Sequence, residues 1–301
     1  MAKTYSFAAS DPVAAEAMEA SLMSGGSALH AALAGYFAAA GEHSGVLLSP
    51  MAILLHGFGA RRAFDGRLRQ PGQGVKRPRG FTPGQVIPPA ARVGIPCSVV
   101  AACVALAYDT SNPIGQLTGY GAVRAKKAGA EKRLELLQHV GRLGAGAFTA
   151  SHVHRPIVLE AGLTEQGVVT EADFAATPEV DKKCAEASAT DGNGAGVVNL
   201  SLPWASHDTA AEGNQDTLCV VDARGSAVCV AYQNAASGLE IAAWEVVAPL
   251  VAAPVMRGVS RVPPGTPIAT PFQIRLVLDN DGRVVTALGG RGLDTIKAHR
   301  A

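Results

Sequence analysis

The stretch "EGNQDTLCVVDARGSAVCVAYQ", residues 212–233, decides how this sequence is interpreted. Its alternating apolar residues on either side of "DARG" are typical of two antiparallel strands joined by a tight turn. Because side chains alternate along a strand, Gln215, Thr217 and Cys219 are predicted to share one face of the first strand. A threonine or cysteine there is a candidate nucleophile, particularly if chain cleavage frees an α-amine to act as its base. The alternative is an ordinary half-buried strand.

The rest of the chain predicts a single domain over residues 1–301, with a helix-rich part at 1–190 and a strand-rich part at 194–301. Asp11 before Pro12 is a good helix start, and two helices are expected before residue 41. One or two buried strands are expected within residues 45–65. Because helices come first and most strands later, an α+β fold is favoured over alternating β-α-β units.

Composition excludes several classes of function. Hydrophobic residues make up 48% of the chain and charged residues 17%, with a net charge of +1, so neither nucleic acid nor a membrane is expected as a partner. The five cysteines are widely spaced without a C-x-x-C pair, which favours small core residues in a reducing compartment. Since no signal peptide or membrane-spanning run is visible, the prediction is a cytoplasmic protein without a cofactor.

A basic segment is a candidate anion site, since arginine binds carboxylates and phosphates through paired hydrogen bonds. Only Asp65 is visible in the sequence as a counter-charge, and a solvated surface loop is the alternative. The basic residues are Arg61, Arg62, Arg67, Arg69, Lys76, Arg77 and Arg79.

Two further motifs have functional and structural interpretations. "HVH" at 152–154 is predicted to place two imidazoles on one face of an extended segment, but no third metal ligand is visible, so no metal is expected. "ALGGRG" at 287–292 follows a strand and is predicted to precede a helical tail. Its consecutive glycines let backbone N–H groups approach an oxyanion, although Gly-Gly also simply ends strands.

Several segments, taken in order, resemble the γ-glutamyltranspeptidase family. They are "SDPVAAEAMEASLMSGGSALHAALAG", "EHSG", "AFDGRLRQP", "VGIPCSVVA", "DTLCVVDARGSAVCVAY" and "TPIATPFQIRLVLDNDGRVVTALGGRG". The resemblance covers residues 9–297. It implies the N-terminal-nucleophile (Ntn) hydrolase fold, an αββα layered sandwich with antiparallel sheets between helices.

The resemblance also implies roles for individual residues. Arg67 matches the arginine that grips the substrate α-carboxylate, and Gly289 with Gly290 matches the oxyanion-hole pair. Thr270, with Ala269, occupies the place of the family's paired serines. The nucleophilic threonine, however, is replaced by Gln215.

This replacement is chemically decisive for the usual reaction. Self-cleavage by an N-to-O acyl shift needs a hydroxyl or thiol, so Gln215 cannot become an N-terminal nucleophile. Thr217 lies one strand repeat further on, about 6–7 Å along the chain. Cleavage before Thr217 would make it the nucleophile, with Gly289 and Gly290 as oxyanion donors.

Two functions therefore remain open. One is a divergent enzyme acting on an amide or related acyl bond of a carboxylate-bearing substrate, in a specialised biosynthetic pathway. The other is a catalytically degenerate relative that binds a ligand or partner protein. In both, the expected ligand is small, anionic and amino-acid-like or peptide-like, and homo- and hetero-oligomers are both left open.

Overall fold

The computed structural model describes residues 5–76, 78, 80–175, 177–191, 194–205, 215–290 and 296–299. The strands within these residues are β1 (Ser6–Ala9), β2 (Met51–Gly57), β3 (Ala60–Gly66), β4 (Asp181–Lys183), β5 (Ala185–Thr190), β6 (Gly196–Ser201), β7 (Gln215–Val221), β8 (Ala227–Gln233), β9 (Leu239–Ile241), β10 (Val246–Ala248), β11 (Ile274–Asp279), β12 (Val284–Gly289) and β13 (Ile296–His299).

The α-helices of the same residues are α1 (Pro12–Met23), α2 (Ala28–Glu42), α3 (Ser98–Leu106), α4 (Ile114–Lys127), α5 (Glu131–Leu143) and α6 (Ser151–Ala161). Short 3-10 helices cover Pro89–Arg92, Gly144–Thr149, Leu163–Glu165, Glu171–Phe174 and Ala242–Trp244.

Two antiparallel sheets form the centre of the molecule. The first has the order β1-β7-β8-β2-β3-β4 and the second the order β13-β12-β11-β6-β5, with β9 and β10 forming a separate ribbon. Strands β1 and β2, from the helix-rich part, pair with β7 and β8 respectively, from the strand-rich part. The two parts of the sequence are therefore interleaved in space.

The alternation along β7 separates two cores. Leu218 and Val220 point toward the helices and belong to the larger core, whereas Cys219 and Val221 belong to the core between the two sheets. Thr217, on the same face as Cys219, is only 1% exposed. Thr217 and Cys219 thus lie on the face between the two sheets, as the period of two predicts, and Gln215 at the start of the strand is half-buried.

Helix α2 is buried on nearly all sides, because every residue from Ala28 to Gly41 is buried. Because α2 consists mostly of alanine, glycine and apolar residues, neighbouring helices can pack closely against it. A Cβ atom added at Gly41 would lie 2.0 Å from the carbonyl oxygen of Gly121 in α4, so the two backbones meet where only glycine fits.

The predicted α+β fold with antiparallel sheets is confirmed. The described helices pack outside the first sheet, and the inner faces of the two sheets meet in the second core. On the outer face of the second sheet, Arg275 of β11 and Val285 of β12 are exposed, so no described helix covers these positions.

Two local predictions are wrong. Residues 151–161 form α6 rather than an extended segment, because Val153, His154 and Ile157 repeat with the helical period and are buried together. The expected helical tail is β13, whose residues pair with β12 from Gly289 to Thr286. Pairing of β13 with the edge of a sheet was not visible in its short sequence.

Candidate active site

The side chain of Gln215 is held in place at the start of β7. Its Nε2 donates to the carbonyl oxygen of Gln273 at 3.1 Å, and its Oε1 accepts from the Gln273 N–H at 2.9 Å. The same Nε2 lies 2.9 Å from Oγ1 of Thr217. The amide of Gln215 therefore joins β7 to the segment before β11, at the position to which the sequence resemblance assigns the nucleophile.

Thr217 is enclosed by its neighbours. Its Oγ1 accepts from Gln215, its N–H donates to Oγ of Ser10 at 2.9 Å, and its carbonyl accepts from the Ser10 N–H at 3.0 Å. With 1% of its surface exposed, the hydroxyl has no open path to a substrate in this conformation.

The two glycines of the predicted oxyanion hole lie next to this cluster. A Cβ atom added at Gly289 would be 2.6 Å from Cγ2 of Thr217 and 2.8 Å from Cγ2 of Ile274. Gly290 has φ +121° and donates its N–H to the Gln273 carbonyl at 3.2 Å. Since this N–H already has an acceptor, the donor expected for an oxyanion is engaged within the protein.

Arg67, by contrast, lines a separate surface cavity of about 420 Å³. Its Nε and Nη2 donate to the two carboxylate oxygens of Asp65 at 2.8 and 2.9 Å, and its guanidinium carbon lies 4.9 Å from the centre of the Trp204 ring. Arg69 also pairs with Asp65, at 3.2 Å. Burial alone would raise the pKa of Asp65, but the hydrogen bond from Arg67 and the charges of both arginines lower it.

This cavity carries a surplus of positive charge. Its charged lining residues are the cations Arg67, Arg69 and Lys182 and the anions Asp65 and Glu179, which leaves one positive charge. Lys182 and Glu179 pair with each other at 2.9 Å, so the surplus lies on the two arginines that share one carboxylate. A single carboxylate of a ligand would balance it.

Thr270 lies on the segment 267–273, which links the Arg67 cavity to the cluster around Gln215. Its Oγ1 donates to the carbonyl of Ile268, and Ile268 in turn donates its N–H to the Leu68 carbonyl. The structure thus brings Gln215, Thr217, Gly289 and Gly290 together at the Gln273 end of the segment 267–273. The cavity that Arg67 lines lies at the Pro267 end of this segment.

A cluster of acid–base groups on the opposite face of β7 was missed by the sequence analysis. His43 Nε2 is 3.2 Å from Oδ2 of Asp11, Ser10 donates to Asp216 at 2.8 Å, and Tyr232 donates to Asp11 at 3.4 Å. Asp11 before proline is typical of a helix cap, which it also is, so its second partner gave no signal in the sequence.

Electrostatics within this cluster favour a protonated His43. The hydrogen bond that His43 donates to the Asp11 carboxylate raises the pKa of His43 more than burial lowers it. Burial raises the pKa of Asp11, but hydrogen bonds from His43 and from the Val13 N–H lower it on balance. Burial raises the pKa of Asp216, which Ser10 only partly offsets.

The basic segment is more extensively paired than its sequence indicates. Arg61 contacts Glu186 at 3.3 Å, and Arg62 contacts Asp181 at 2.9 Å. Asp65 is therefore not the only counter-charge, because β4 and β5 bring carboxylates that lie far away in the sequence. Arg77 and Arg79 lie outside the described residues.

Neither metal nor thiol chemistry gains support at the other candidate residues. His154 is buried and His152 exposed, on a helix, and within the described residues no group of histidine, cysteine and acidic side chains could hold a metal ion. Burial raises the pKa of Cys97 to about 11 and those of Cys103 and Cys184 to about 12, so these thiols are neutral near pH 7.

As a sequence, the chain matches no known protein family and no curated protein. As a fold, it is similar to cephalosporin acylase from Bacillus halodurans, with a TM-score of 0.71 over 96% of this chain and 77% of that one, at 14% identity. It is also similar to γ-glutamyltranspeptidase from Helicobacter pylori, with a TM-score of 0.50 over 64% of this chain and 68% of that one, at 20% identity.

The γ-glutamyltranspeptidase from Pseudomonas nitroreducens, solved in complex with L-DON, gives a TM-score of 0.52 over 64% of this chain and 69% of that one, at 15% identity. These similarities show that the chain has the fold of the Ntn hydrolases, and they confirm the predicted resemblance at the level of the fold. At such identities they carry no residue roles across. No helix in the described part of the chain is long and apolar enough to span a bilayer.

Proposed function

We propose that this chain is a non-processing protein of the Ntn-hydrolase fold that binds a small carboxylate-bearing ligand at Arg67. The observation that carries the proposal is the Gln215 clamp, in which an amide occupies the nucleophile position and is hydrogen-bonded on both of its polar atoms. An amide has neither the hydroxyl nor the thiol that an acyl shift requires.

The environment of the clamp supports the same conclusion. Thr217 is buried and its Oγ1 and N–H are both engaged, and the Gly290 N–H is bonded to Gln273. Activating Thr217 would require breaking the chain between Asp216 and Thr217 and rearranging the Gln215 contacts. In this proposal Arg67 keeps the carboxylate-binding role that the resemblance implies, whereas the groups implied for catalysis are engaged within the protein.

The ligand class follows from the Arg67 cavity. One surplus positive charge beside an indole ring suits a small molecule with a free carboxylate, of the amino-acid-like or peptide-like kind. Arg67 uses its Nε and Nη2 on Asp65, so its remaining N–H groups are those that would meet the ligand.

An Ntn-type amide hydrolase or acyltransferase that uses Thr217 is the second candidate. The contact between Thr217 and Gly289 favours it, because it places a hydroxyl-bearing residue beside the glycine pair. The two candidates differ in one measurable property, which is whether the chain cleaves itself.

Mass spectrometry of the purified, denatured chain tests the first part of the proposal, that the chain does not cleave itself. We expect one uncut species of 30.7 kDa for the wild type, and the Thr217→Ala variant should likewise remain uncut. Two fragments that join at Asp216 and Thr217, formed by the wild type and not by Thr217→Ala, would contradict the proposal in favour of the second candidate.

Isothermal titration tests the second part of the proposal, that a carboxylate binds at Arg67. The ligands are glutarate and L-glutamate, and glutaramide is the uncharged control. Replacing Arg67 by Gln is expected to weaken binding about tenfold or more, the loss typical of a charge-assisted hydrogen bond. Arg61→Gln is the matched control, because Arg61 pairs with Glu186 outside the cavity. Equal affinities for glutarate and glutaramide would refute a carboxylate site.

A further inference from the structure

A second cavity, of about 210 Å³, lies next to the Arg67 cavity and is enclosed by elements from distant parts of the chain. The start of α3 contributes Val100, the 3-10 helix Gly144–Thr149 contributes Phe148, and the 3-10 helix Glu171–Phe174 contributes Phe174. Ile95 and Pro96 complete its apolar wall. We refer to this space as the apolar cavity.

Polar side chains at the wall of the apolar cavity are engaged by the protein. The Asp173 carboxylate accepts from the N–H groups of Gly72 and Gln73. The Gln70 amide donates to the Ala253 carbonyl at 2.7 Å and accepts from the Ala253 N–H at 3.1 Å. With these groups satisfied, the cavity offers a ligand mainly apolar surface.

The apolar cavity and the Arg67 cavity share three lining residues, Arg69, Pro178 and Gly265. Arg69 is 7% exposed and is paired with Asp65, so its positive charge lies at the edge that the two cavities share. A ligand that extends along this edge would place its charge at the arginines and its uncharged part among Val100, Phe148 and Phe174.

We propose that the ligand is a carboxylate that carries one extended apolar group, and that this group occupies the apolar cavity. This inference rests on the carboxylate site proposed above and specifies its ligand class. No covalent step is involved, because burial keeps the Cys97 thiol on the cavity wall neutral, with its pKa raised to about 11. Specificity then comes from the length of the apolar group.

Isothermal titration of the full chain with linear carboxylates of two, four, six and eight carbons tests this proposal. Each additional buried CH₂ group is expected to tighten binding about fourfold until the cavity is filled. Octanamide, which has the same chain without the charge, is expected to bind at least tenfold more weakly than octanoate.

Val100→Phe fills the cavity and is expected to bring octanoate affinity down to that of butyrate, while butyrate affinity stays unchanged. Val123→Phe is the matched control, since Val123 is exposed and lines a different hollow on α4. Ala172→Phe, at an exposed position on the cavity rim, repeats the test without altering the buried core, in case Val100→Phe does not fold.

The outcomes separate the two proposals. If carboxylates bind through Arg67 but affinity is independent of chain length, the apolar cavity is not part of the site and the carboxylate site stands. If chain length matters equally in Val100→Phe, Ala172→Phe and the wild type, the apolar group lies elsewhere and this inference is overturned. If no carboxylate binds, the proposed function itself fails.

Discussion

The side-chain amide of Gln215 is hydrogen-bonded to both the N–H and the carbonyl of Gln273. This pairing adds two hydrogen bonds between β7 and the segment entering β11, at the position to which the family resemblance assigns the nucleophile. The same amide also donates to Thr217, so Gln215 contacts both Gln273 and Thr217.

Replacing Gln215 by Ala should reduce the free energy of unfolding by about 1 to 3 kcal/mol, because the buried Thr217 hydroxyl and the backbone groups of the exposed Gln273 lose three hydrogen bonds in all. Urea unfolding measures the change. Gln233→Ala is the matched control, since Gln233 is the register partner of Gln215 in β8. Equal losses in the two variants would show that the clamp contributes no specific stability.

Gly289→Ala should destabilise the fold by about 1 to 3 kcal/mol through overpacking, because the new Cβ would meet Cγ2 of Thr217 and of Ile274. Thr217→Ser removes one of these methyl groups and keeps the hydroxyl, so the double variant should recover part of the loss. Additive effects in this double-mutant cycle would contradict the contact.

Gly119→Ala is a control for Gly289→Ala, because the same substitution is expected to raise the free energy of unfolding rather than lower it. Gly119 lies within α4, and no atom lies within 4 Å of a Cβ added there. The substitution is expected to stabilise the protein by about 0.5 to 1 kcal/mol, because alanine favours helix more than glycine does.

Asp65→Asn should cost about 3 to 5 kcal/mol, because Arg67 and Arg69 would lose the buried carboxylate that they share. The pKa of Asp65 is lowered, so its contribution to stability is present above its ordinary pKa and is lost as pH falls through the lowered value. Thermal unfolding at pH 7 measures the loss. Asp281→Asn, which breaks an exposed pair with Arg283, should cost less than about 1 kcal/mol.

The pair of His43 and Asp11 should make stability depend on pH. The pKa of His43 is raised, so its contribution is complete below about pH 6.5 and is lost as pH rises through the raised value. The pKa of Asp11 is lowered, so its contribution is present above about pH 3.9 and is lost as pH falls through the lowered value.

His43→Gln should therefore lie furthest below the wild type near pH 5 to 6 and approach it above pH 9. Urea midpoints at these pH values, at constant ionic strength, measure the difference. His56→Gln is a useful contrast, because burial lowers the pKa of His56 and its contribution is lost as pH falls instead. A His43→Gln deficit that does not change with pH would refute the ion pair.

Much of the fold could be read from local patterns. The alternation in residues 215–233 predicts β7 and β8 and the shared face of Gln215, Thr217 and Cys219, because side-chain direction in a strand depends only on the period of two. The cap at Asp11 was equally visible, since it depends on residues within one helical turn.

The helix over residues 151–161 shows where local reading is insufficient. "HVH" also fits an extended segment, and only the burial of Val153 and Ile157 against neighbouring elements selects the helix. The end of the chain behaves similarly, because β13 exists through its pairing with β12 rather than through its own composition.

By itself, the sequence determined that position 215, to which the family resemblance assigns the nucleophile, holds an amide, since the chemistry of Gln215 does not depend on its surroundings. Only the tertiary structure decided what that amide does, because its partners on Gln273 lie 58 residues away. The same holds for Arg67, whose carboxylate partner is local but whose Trp204 neighbour and cavity come from a distant segment. Residue identity sets which reactions are possible, and contacts between distant segments set which groups remain available for them.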